Sequence, residues 1–309
     1  MRTIGHGRDR ARAHAPAKVN LSLRVLARES TGYHQLETVF CALELSDEVE
    51  LERGGPGIEL EVEGQDTGPA EANLAYRAAE AFCQACGRAA ALRIRLRKRI
   101  PVGAGLGGGS SDAATTLLAL NALHDEPLDG ATLLRIGAGL GSDVPFFLAG
   151  SPLALAWGRG ERLLPLPPLP RAPVLVAVPD FAIATADAYL ALDRHRAAHD
   201  ERPGPGIFEP ARFGSWDDIA AVAVNDFEAP TFERFPVLGS VKAALGEAGA
   251  TLSLLSGSGS ALFGVFRTPE DRDRAADIIR SAHPGIRTIA TWTASTMTAP
   301  GRSFRAEAG

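Results

Sequence analysis

The sequence has few cysteines, no excess of basic residues and no long apolar run. Three cysteines among 309 residues are too few for a disulfide framework, and their odd number indicates a reducing compartment. Lysine and arginine number 32 against 37 acidic residues, so a nucleic-acid-binding protein is disfavoured. No apolar stretch approaches the ~18 residues that a membrane span requires. We therefore expect a cytoplasmic protein that binds neither nucleic acid nor membrane; the sequence does not indicate protein partners.

The composition is otherwise that of a globular protein. Apolar residues make up 45% and charged residues 22%, which excludes general disorder. Residues 1–15 contain arginines with no apolar stretch behind them, so we expect a disordered tail rather than a secretory signal. The proline-rich stretch Pro165–Pro173 predicts a boundary between two domains, residues 1–168 and residues 169–309.

Hydrophobic periodicity predicts an α+β fold. The predicted strands cover residues 19–25, 36–45, 92–100, 153–157, 174–178, 251–255, 261–266 and 288–292. The predicted helices cover residues 73–86, 110–124, 237–248 and 271–282. Three further segments are predicted to be a hairpin within Glu48–Glu63, a turn at Gly137–Gly141 and an exposed loop at His195–Ser215.

The strand at residues 92–100 alternates apolar and basic side chains. A solvated face is the simpler explanation of its charges. The alternative is that its last residues help to bind an anionic ligand.

A glycine loop is the strongest functional signal. Five glycines occupy the seven positions from Gly103 to Gly109, between a predicted strand and a predicted helix. Glycine adopts positive φ and leaves backbone N–H groups open to a ligand. The start of a helix adds the positive end of its dipole, and Ser110, Ser111 and Asp112 are good capping residues. The loop therefore predicts a phosphate-binding site.

Two common nucleotide motifs fit this loop poorly. Gly103, Gly105 and Gly108 match the dinucleotide fingerprint, but no strand ending in an acidic residue follows the helix. The GxxxxGK[ST] phosphate loop and the loops of protein kinases are absent.

The loop and four other motifs resemble the GHMP kinases, which include galactokinase, homoserine kinase, mevalonate kinase and phosphomevalonate kinase. The matching segments, in the family's order, are Ala15–Leu21, Gly32-Tyr33-His34, Pro101–Ala114, Leu140–Phe147 and Leu255–Ser260. Gly107-Gly108-Gly109 followed by Ser-Ser-Asp-Ala-Ala is most similar to the branch that acts on 4-diphosphocytidyl-2-C-methyl-D-erythritol, in the non-mevalonate isoprenoid pathway.

The resemblance implies a two-domain α+β fold, with an N-terminal ATP-binding domain and a C-terminal α+β domain on either side of a cleft. It implies transfer of the γ-phosphate of ATP to the 2-hydroxyl of that cytidylylated substrate. Homoserine or mevalonate kinase activity is an alternative, disfavoured by Gly32-Tyr33-His34 and the triple glycine. A nucleotide-binding module without catalysis is another, disfavoured by the presence of Lys18 and Asp143.

Catalytic roles also follow from the resemblance. It implies that Asp143 is the general base on the acceptor hydroxyl. Lys18 would lie beside it, lower its pKa and help to place the acceptor oxygen. Without the motif, a loop aspartate usually caps a helix or closes a turn, and an isolated lysine is usually solvated.

The binding residues are implied in the same way. Those for ATP are Pro101, Val102, Gly103, Ala104, Gly105, Leu106, Gly107, Gly108, Gly109, Ser110 and Ser111, with Asn73 and Lys98 near adenine. Those for the substrate are Asn20, Tyr33, His34, Thr185 and Tyr189. Mg²⁺ is expected with ATP; its ligands are not identified, although the hydroxyls of Ser110 or Ser111 are candidates.

Two further constellations are weak. Cys83 and Cys86 have the spacing of a redox or half-zinc motif, but no second ligand pair is evident, so structural thiols are favoured. His195 and His199 are four residues apart, but the metalloprotease glutamate is missing and the predicted loop disfavours a zinc site. The N-terminal extension and residues 195–215 depart from the family pattern.

Overall fold

A computed structural model describes residues 5–6, 9–30, 32–200, 204 and 213–297. Its elements, in chain order, are β1 (Gly5–His6), β2 (Arg10–Arg28), β3 (His34–Arg53), β4 (Ile58–Glu63), α1 (Leu74–Ala85), β5 (Leu92–Arg97), α2 (Gly108–Leu123), α3 (Gly130–Leu140), α4 (Val144–Leu148), β6 (Leu153–Gly158), β7 (Arg162–Pro165), β8 (Pro173–Pro179), α5 (Thr185–His199), α6 (Trp216–Val222), β9 (Val224–Asn225), α7 (Glu228–Arg234), α8 (Pro236–Glu247), β10 (Leu252–Leu255), β11 (Leu262–Val265), α9 (Pro269–Ala282) and β12 (Ile286–Trp292). The α+β prediction is confirmed.

The first half of the chain builds an eight-stranded sheet around β2 and β3. Its main order is β1-β2-β3-β5-β4, with β6 also on β3, β7 on β6 and β9 on β2. One half of β3 pairs with β6 and the other half with β5. A hydrophobic core fills the space between this sheet and α1–α4. Helix α2 is buried along nearly its whole length within this core.

The predicted N-terminal tail is wrong for residues 10–15, which form the start of β2. Ala11, Ala13 and Ala15 are buried, while the residues between them are exposed or partly exposed. This period of two is a strand pattern, because successive side chains point to opposite faces. Residues 1–4 and 7–8 lie outside the described residues.

The predicted hairpin between residues 48 and 63 is also wrong. Strand β5 lies between β3 and β4, antiparallel to β3 and parallel to β4. Each arginine of β5 faces a glutamate on both neighbours; Arg95, for example, lies opposite Glu50 and Glu61. Opposite charges stabilise cross-strand pairs and like charges destabilise them, so two acidic strands pair better with a basic strand between them. The solvated-face explanation of these arginines is confirmed.

The predicted turn at Gly137–Gly141 is the C-terminal end of α3, with Gly141 as its C-cap. Glycine is needed at position 137 because α4 packs closely against it. A β-carbon there would lie 2.6 Å from Leu148 Cδ1 and 3.0 Å from Val144 Cγ1. Gly137 therefore serves helix packing rather than a reversal of the chain.

The second half of the chain builds an antiparallel four-stranded sheet in the order β10-β11-β8-β12. Helices α5, α7, α8 and α9 cover one side of it around a core of their own. Another core lies between the two sheets. Strand β9 crosses back to pair with β2. The division between residues 168 and 169 stays a prediction.

The predicted loop at 195–215 is wrong for its first residues, because α5 continues to His199. Arg196, one of the charged residues that suggested a loop, is largely buried and pairs with Asp226 at 2.7 Å. Residues 201–203 and 205–212 lie outside the described residues. None of the described helices is both long and apolar enough to cross a membrane.

Candidate active site

Two adjoining cavities lie on either side of the glycine loop. The loop cavity, about 470 Å³, is bounded by residues 100–110 together with Asn73, Lys98 and Asp112. The lysine cavity, about 160 Å³, is lined by Lys18, Asn20, Asp143 and Tyr189, among others. Gly105, Gly107 and Thr185 line both. A molecule in one cavity therefore lies next to a molecule in the other.

The loop cavity has the features of an anion site at the start of a long helix. Gly103, Gly105 and Gly107 have φ between +70° and +79°, and Gly107 is the N-cap of α2. The N–H groups of the first helical turn have no partner within the helix. They and the helix dipole favour a phosphate there.

A second glycine loop, Ser256–Ser260, closes against the first. Ser256 Oγ donates to the carbonyl of Gly105 at 3.0 Å, and the amide of Ala261 donates to the carbonyl of Ala104 at 3.1 Å. A β-carbon on Gly105 would lie 2.1 Å from the carbonyl oxygen of Ser256. Asn225 Nδ2 donates to the carbonyls of Leu255 and Gly257, both at 2.8 Å. The sequence did not single out Asn225, since its partners come from a distant segment.

Lys18 reaches the lysine cavity because a bulge in β2 reverses which residues point to each side of the sheet. Ala15 belongs to the core under the helices, whereas Ala17 and Val19 belong to the core between the sheets. The register shift between Pro16 and Lys18 produces this change. Lys18 and Asn20 therefore face the helix side of the sheet.

The Lys18 ammonium is held by a short chain of hydrogen bonds. Its side chain is 4% exposed, and Nζ donates to Asn20 Oδ1 at 2.8 Å. Asn20 Nδ2 in turn donates to Thr38 Oγ1 at 2.7 Å, and Thr38 Oγ1 donates to the carbonyl of Ser22 at 2.6 Å. A buried ammonium needs such partners, because its desolvation is costly. Thr38 is a support that sequence reasoning missed.

Asp143 faces Lys18 across the lysine cavity. It is the N-cap of α4, and its Oδ2 lies 3.4 Å from Lys18 Nζ. About a third of the Asp143 side chain is exposed. The structure thus brings together the two residues that the sequence assigned to catalysis, with a carboxylate open to a ligand and an ammonium behind it.

Tyr189 and Phe227 form an aromatic wall on the other side of the lysine cavity, and His34 packs on Tyr189. The rings of His34 and Tyr189 stack at 4.7 Å with planes 16° apart, and Phe227 meets Tyr189 edge-on at 4.9 Å. His34 Nε2 lies 2.9 Å from Asp193 Oδ1. Burial, with a smaller contribution from the charge of Asp143, raises the pKa of Tyr189 to about 12, so its hydroxyl stays neutral. Asp193 and Phe227 were not found from the sequence, because neither lies in a motif.

Tyr33 and Thr185 lie at the margins of this wall. Tyr33 is 58% exposed, and the Arg159 guanidinium lies 4.0 Å from its ring centroid. Arg159 also pairs with Glu29 at 2.6 Å. Thr185 Oγ1 lies 3.2 Å from Ser258 Oγ of the second glycine loop. Arg159 is a cation beside the substrate segment that the sequence did not reveal.

Asn73 and Lys98 line the loop cavity but also have structural partners. Asn73 Oδ1 accepts from the amide of Ala75 at 2.9 Å, capping α1. Lys98 Nζ lies between Asp112, at 2.6 Å, and Asp47, all three being buried. Burial, aided by the charge of Asp47 and opposed by that of Lys98, raises the pKa of Asp112 to about 7. The sequence did not predict that the carboxylates of Asp47 and Asp112 pair with Lys98.

Comparison with known proteins agrees with this geometry. Residues 73–151 match the GHMP kinases N terminal domain and residues 207–285 the GHMP kinases C terminal domain. A 4-diphosphocytidyl-2-C-methyl-D-erythritol kinase of Solibacter usitatus is 42% identical over 272 residues, 87% of this chain and 85% of the relative. That of Moorella thermoacetica is 40% identical over 285 residues, 90% of this chain and 97% of the relative.

The chain belongs to the GHMP kinase family. A crystal structure of a 4-(cytidine 5′-diphospho)-2C-methyl-D-erythritol kinase superposes with a TM-score of 0.76 at 38% identity, covering 91% of this chain and 98% of the other. A homoserine kinase from Cytophaga hutchinsonii has a TM-score of 0.70 at 19% identity, over 94% and 96% of the two chains, and shows the shared fold alone. The kinase fold implied by the sequence motifs is therefore confirmed.

Proposed function

We propose that this kinase transfers the γ-phosphate of ATP to the 2-hydroxyl of 4-diphosphocytidyl-2-C-methyl-D-erythritol, giving ADP and the 2-phosphate product. The step belongs to the non-mevalonate, or methylerythritol phosphate, isoprenoid pathway, and we place it in the cytoplasm. The observation that carries the proposal is the Lys18–Asp143 pair in the lysine cavity, which adjoins the loop cavity at Gly105 and Gly107. The free state of the three cysteines is consistent with a reducing compartment.

ATP is proposed to occupy the loop cavity. Residues 101–111 would hold the phosphates through backbone N–H groups, and Asn73 and Lys98 would lie near the adenine. Such a cradle positions the phosphates and stabilises charge that develops during transfer. The N-terminal domain, residues 1–168, would supply this site, and residues 169–309 would close it through the second glycine loop.

Mg²⁺ is proposed to accompany the nucleotide. The Ser111 hydroxyl is buried at the first turn of α2, and within the described part of the chain its Oγ has no hydrogen-bond partner. Oxygen donors of this kind suit Mg²⁺, so the hydroxyl of Ser110, which lines the loop cavity, or that of Ser111 would hold the ion. When bound, it would neutralise charge on the phosphates.

The acceptor hydroxyl is proposed to lie against Asp143. Phosphoryl transfer requires placement of the nucleophile and a group that takes its proton. The Asp143 carboxylate would accept that proton as the oxygen attacks the γ-phosphorus and the bond to the ADP oxygen breaks. The Lys18 ammonium would attract the Asp143 carboxylate and help to orient the acceptor oxygen. Asn20 would hold Lys18 in place.

The cytidine end of the acceptor is proposed to lie along the aromatic wall. Tyr33, whose ring is exposed, and Tyr189 would stack on the pyrimidine, and His34 would hydrogen-bond the base edge. Tyr33 and Thr185 would complete the wall. Arg159, beside Tyr33, is suited to the negative charge of the acceptor's diphosphate.

An acceptor panel tests the proposal. ADP release is measured with ATP and Mg²⁺, without acceptor and with the cytidylylated erythritol, homoserine or mevalonate. We expect release only with the cytidylylated substrate. Release with homoserine or mevalonate alone would assign a different GHMP reaction. ATP binding without turnover of any acceptor would show a nucleotide-binding module.

A further inference from the structure

A cluster of metal-ligating side chains lies away from both cavities. It consists of His195 and His199 on α5 and Glu233 on α7. The candidate ligand atoms of these residues all lie within 4.8 Å of one another. None of the three lines the loop cavity or the lysine cavity. The cluster is thus separate from the proposed kinase site.

Helix geometry brings the two histidines together. Residues four apart are neighbours on one face of a helix, and the ring centroids of His195 and His199 are 4.3 Å apart. Glu233 approaches from α7, which packs against α5, with Oε1 at 3.1 Å from His195 Nδ1. Tertiary structure therefore supplies a third candidate ligand that the local sequence around the histidines does not contain.

The tautomer of His199 favours coordination. Its Nδ1 lies 2.9 Å from the carbonyl oxygen of His195. A carbonyl oxygen only accepts, so Nδ1 carries the proton and the lone pair of the neutral ring is on Nε2. Metal-ligating histidines commonly donate their second ring nitrogen in this way, which fixes the orientation of the ring. The lone pair on Nε2 of His199 is therefore the one that can coordinate an ion.

Two basic side chains near the cluster are paired with carboxylates. Arg196, which follows His195 on α5, lies 2.7 Å from Asp226. Lys242, on the neighbouring α8, is paired with Glu228. Both positive groups are therefore offset by carboxylates, and Glu233 adds a negative charge at the cluster itself.

We infer that His195, His199 and Glu233 form a Zn²⁺-binding site. Two imidazoles and one carboxylate are a donor set that zinc accepts, with a fourth position for water. The ion would join the C-terminal turn of α5 to α7. Since α5 also carries Tyr189 and Asp193, the ion would brace the helix that forms the acceptor wall. The inference does not depend on which acceptor the kinase uses.

Calorimetric titration of the untagged full chain with Zn²⁺ tests the site, with the visible spectrum of the Co²⁺ form as a second readout. We expect one equivalent to bind and to raise the melting temperature. His199→Ala and Glu233→Gln each remove a ligand, so each is expected to weaken binding at least tenfold, because even the loss of a supporting partner costs about 10–100-fold. Both side chains are exposed, so the variants are expected to fold and to retain kinase activity with Mg²⁺ and no added zinc.

His283→Ala is the matched control, because His283 caps α9 far along the chain and is not part of the cluster. It is expected to bind zinc like the unmodified chain. Equal affinity in His199→Ala and the unmodified chain would place the ion elsewhere and overturn the inference. Failure of the unmodified chain to bind Zn²⁺ would also overturn it. Neither result would bear on the ADP-release assay.

Discussion

The backbone amide of Lys18 donates to the carbonyl oxygen of Leu106 at 2.9 Å. This bond joins strand β2 directly to the glycine loop. The ammonium of the same lysine faces Asp143. The proposed cradle for the phosphates and the proposed base are therefore set relative to each other by one residue, whose main chain holds the loop and whose side chain holds the carboxylate.

Asp143→Asn is expected to lower kcat by at least ~10²-fold, since general-base assistance contributes roughly 10²–10⁴-fold. The amide has the size of the carboxylate but cannot accept the proton. ATP affinity is expected to be retained, because Asp143 does not line the loop cavity. Steady-state kinetics and an ATP-binding titration provide the two measurements. Near-full kcat would show that Asp143 is not the base.

Lys18→Met is expected to lower kcat to a similar extent, because Asp143 then loses the positive charge 3.4 Å away. A rise in the acceptor KM with kcat unchanged would instead make Lys18 a binding residue. A thermal melt of the variant shows whether the buried site tolerates the change.

Asp193→Ala is expected to raise the KM for the acceptor about tenfold while leaving kcat and the KM for ATP nearly unchanged. The substitution removes the carboxylate that holds His34, and a hydrogen bond to a charged group contributes about 1.5–3 kcal/mol. Asp187→Ala, an exposed position on the same helix, serves as the control. Equal KM values for the acceptor in the two variants would show that the contact between Asp193 and His34 does not contribute to acceptor binding.

Gly105→Ala is expected to abolish ATP binding or prevent closure of the second glycine loop. The added carbon would lie 2.1 Å from a backbone oxygen, at a residue with φ of +79°. Gly139→Ala is the control, because a β-carbon there meets nothing within 4 Å and position 139 lies in helix α3. It is expected to stabilise the protein by about 0.4–1 kcal/mol. ATP titration and denaturant unfolding measure both effects.

Lys98→Met is expected to lower the free energy of unfolding by roughly 3–5 kcal/mol, because it leaves two buried carboxylates without their cation. Arg95→Met removes an exposed pair with Glu61 and is expected to have little effect. Urea unfolding of both variants gives the comparison. If the two variants lose equal stability, the buried cluster is not a structural support, and Lys98 would be left with its proposed ATP role alone.

The sequence by itself determined most elements, including the glycine loop at the start of a helix. Positive-φ glycines, a helix start and a period of two are local signals, so α2 and β5 follow from neighbouring residues. The same local reasoning was wrong where partners are distant. Nothing near residues 48–63 shows that the arginines of β5 enter between two acidic strands.

Only the tertiary structure decided which side chains meet. The odd-numbered residues of β2 are apolar on both sides of the bulge, so the sequence hides the change of face that brings Lys18 to Asp143. In the same way, Glu233 reaches the two histidines, and Asp193 reaches His34, through packing of separate elements. Local preferences depend on a few adjacent residues, whereas these contacts depend on which surfaces bury each other.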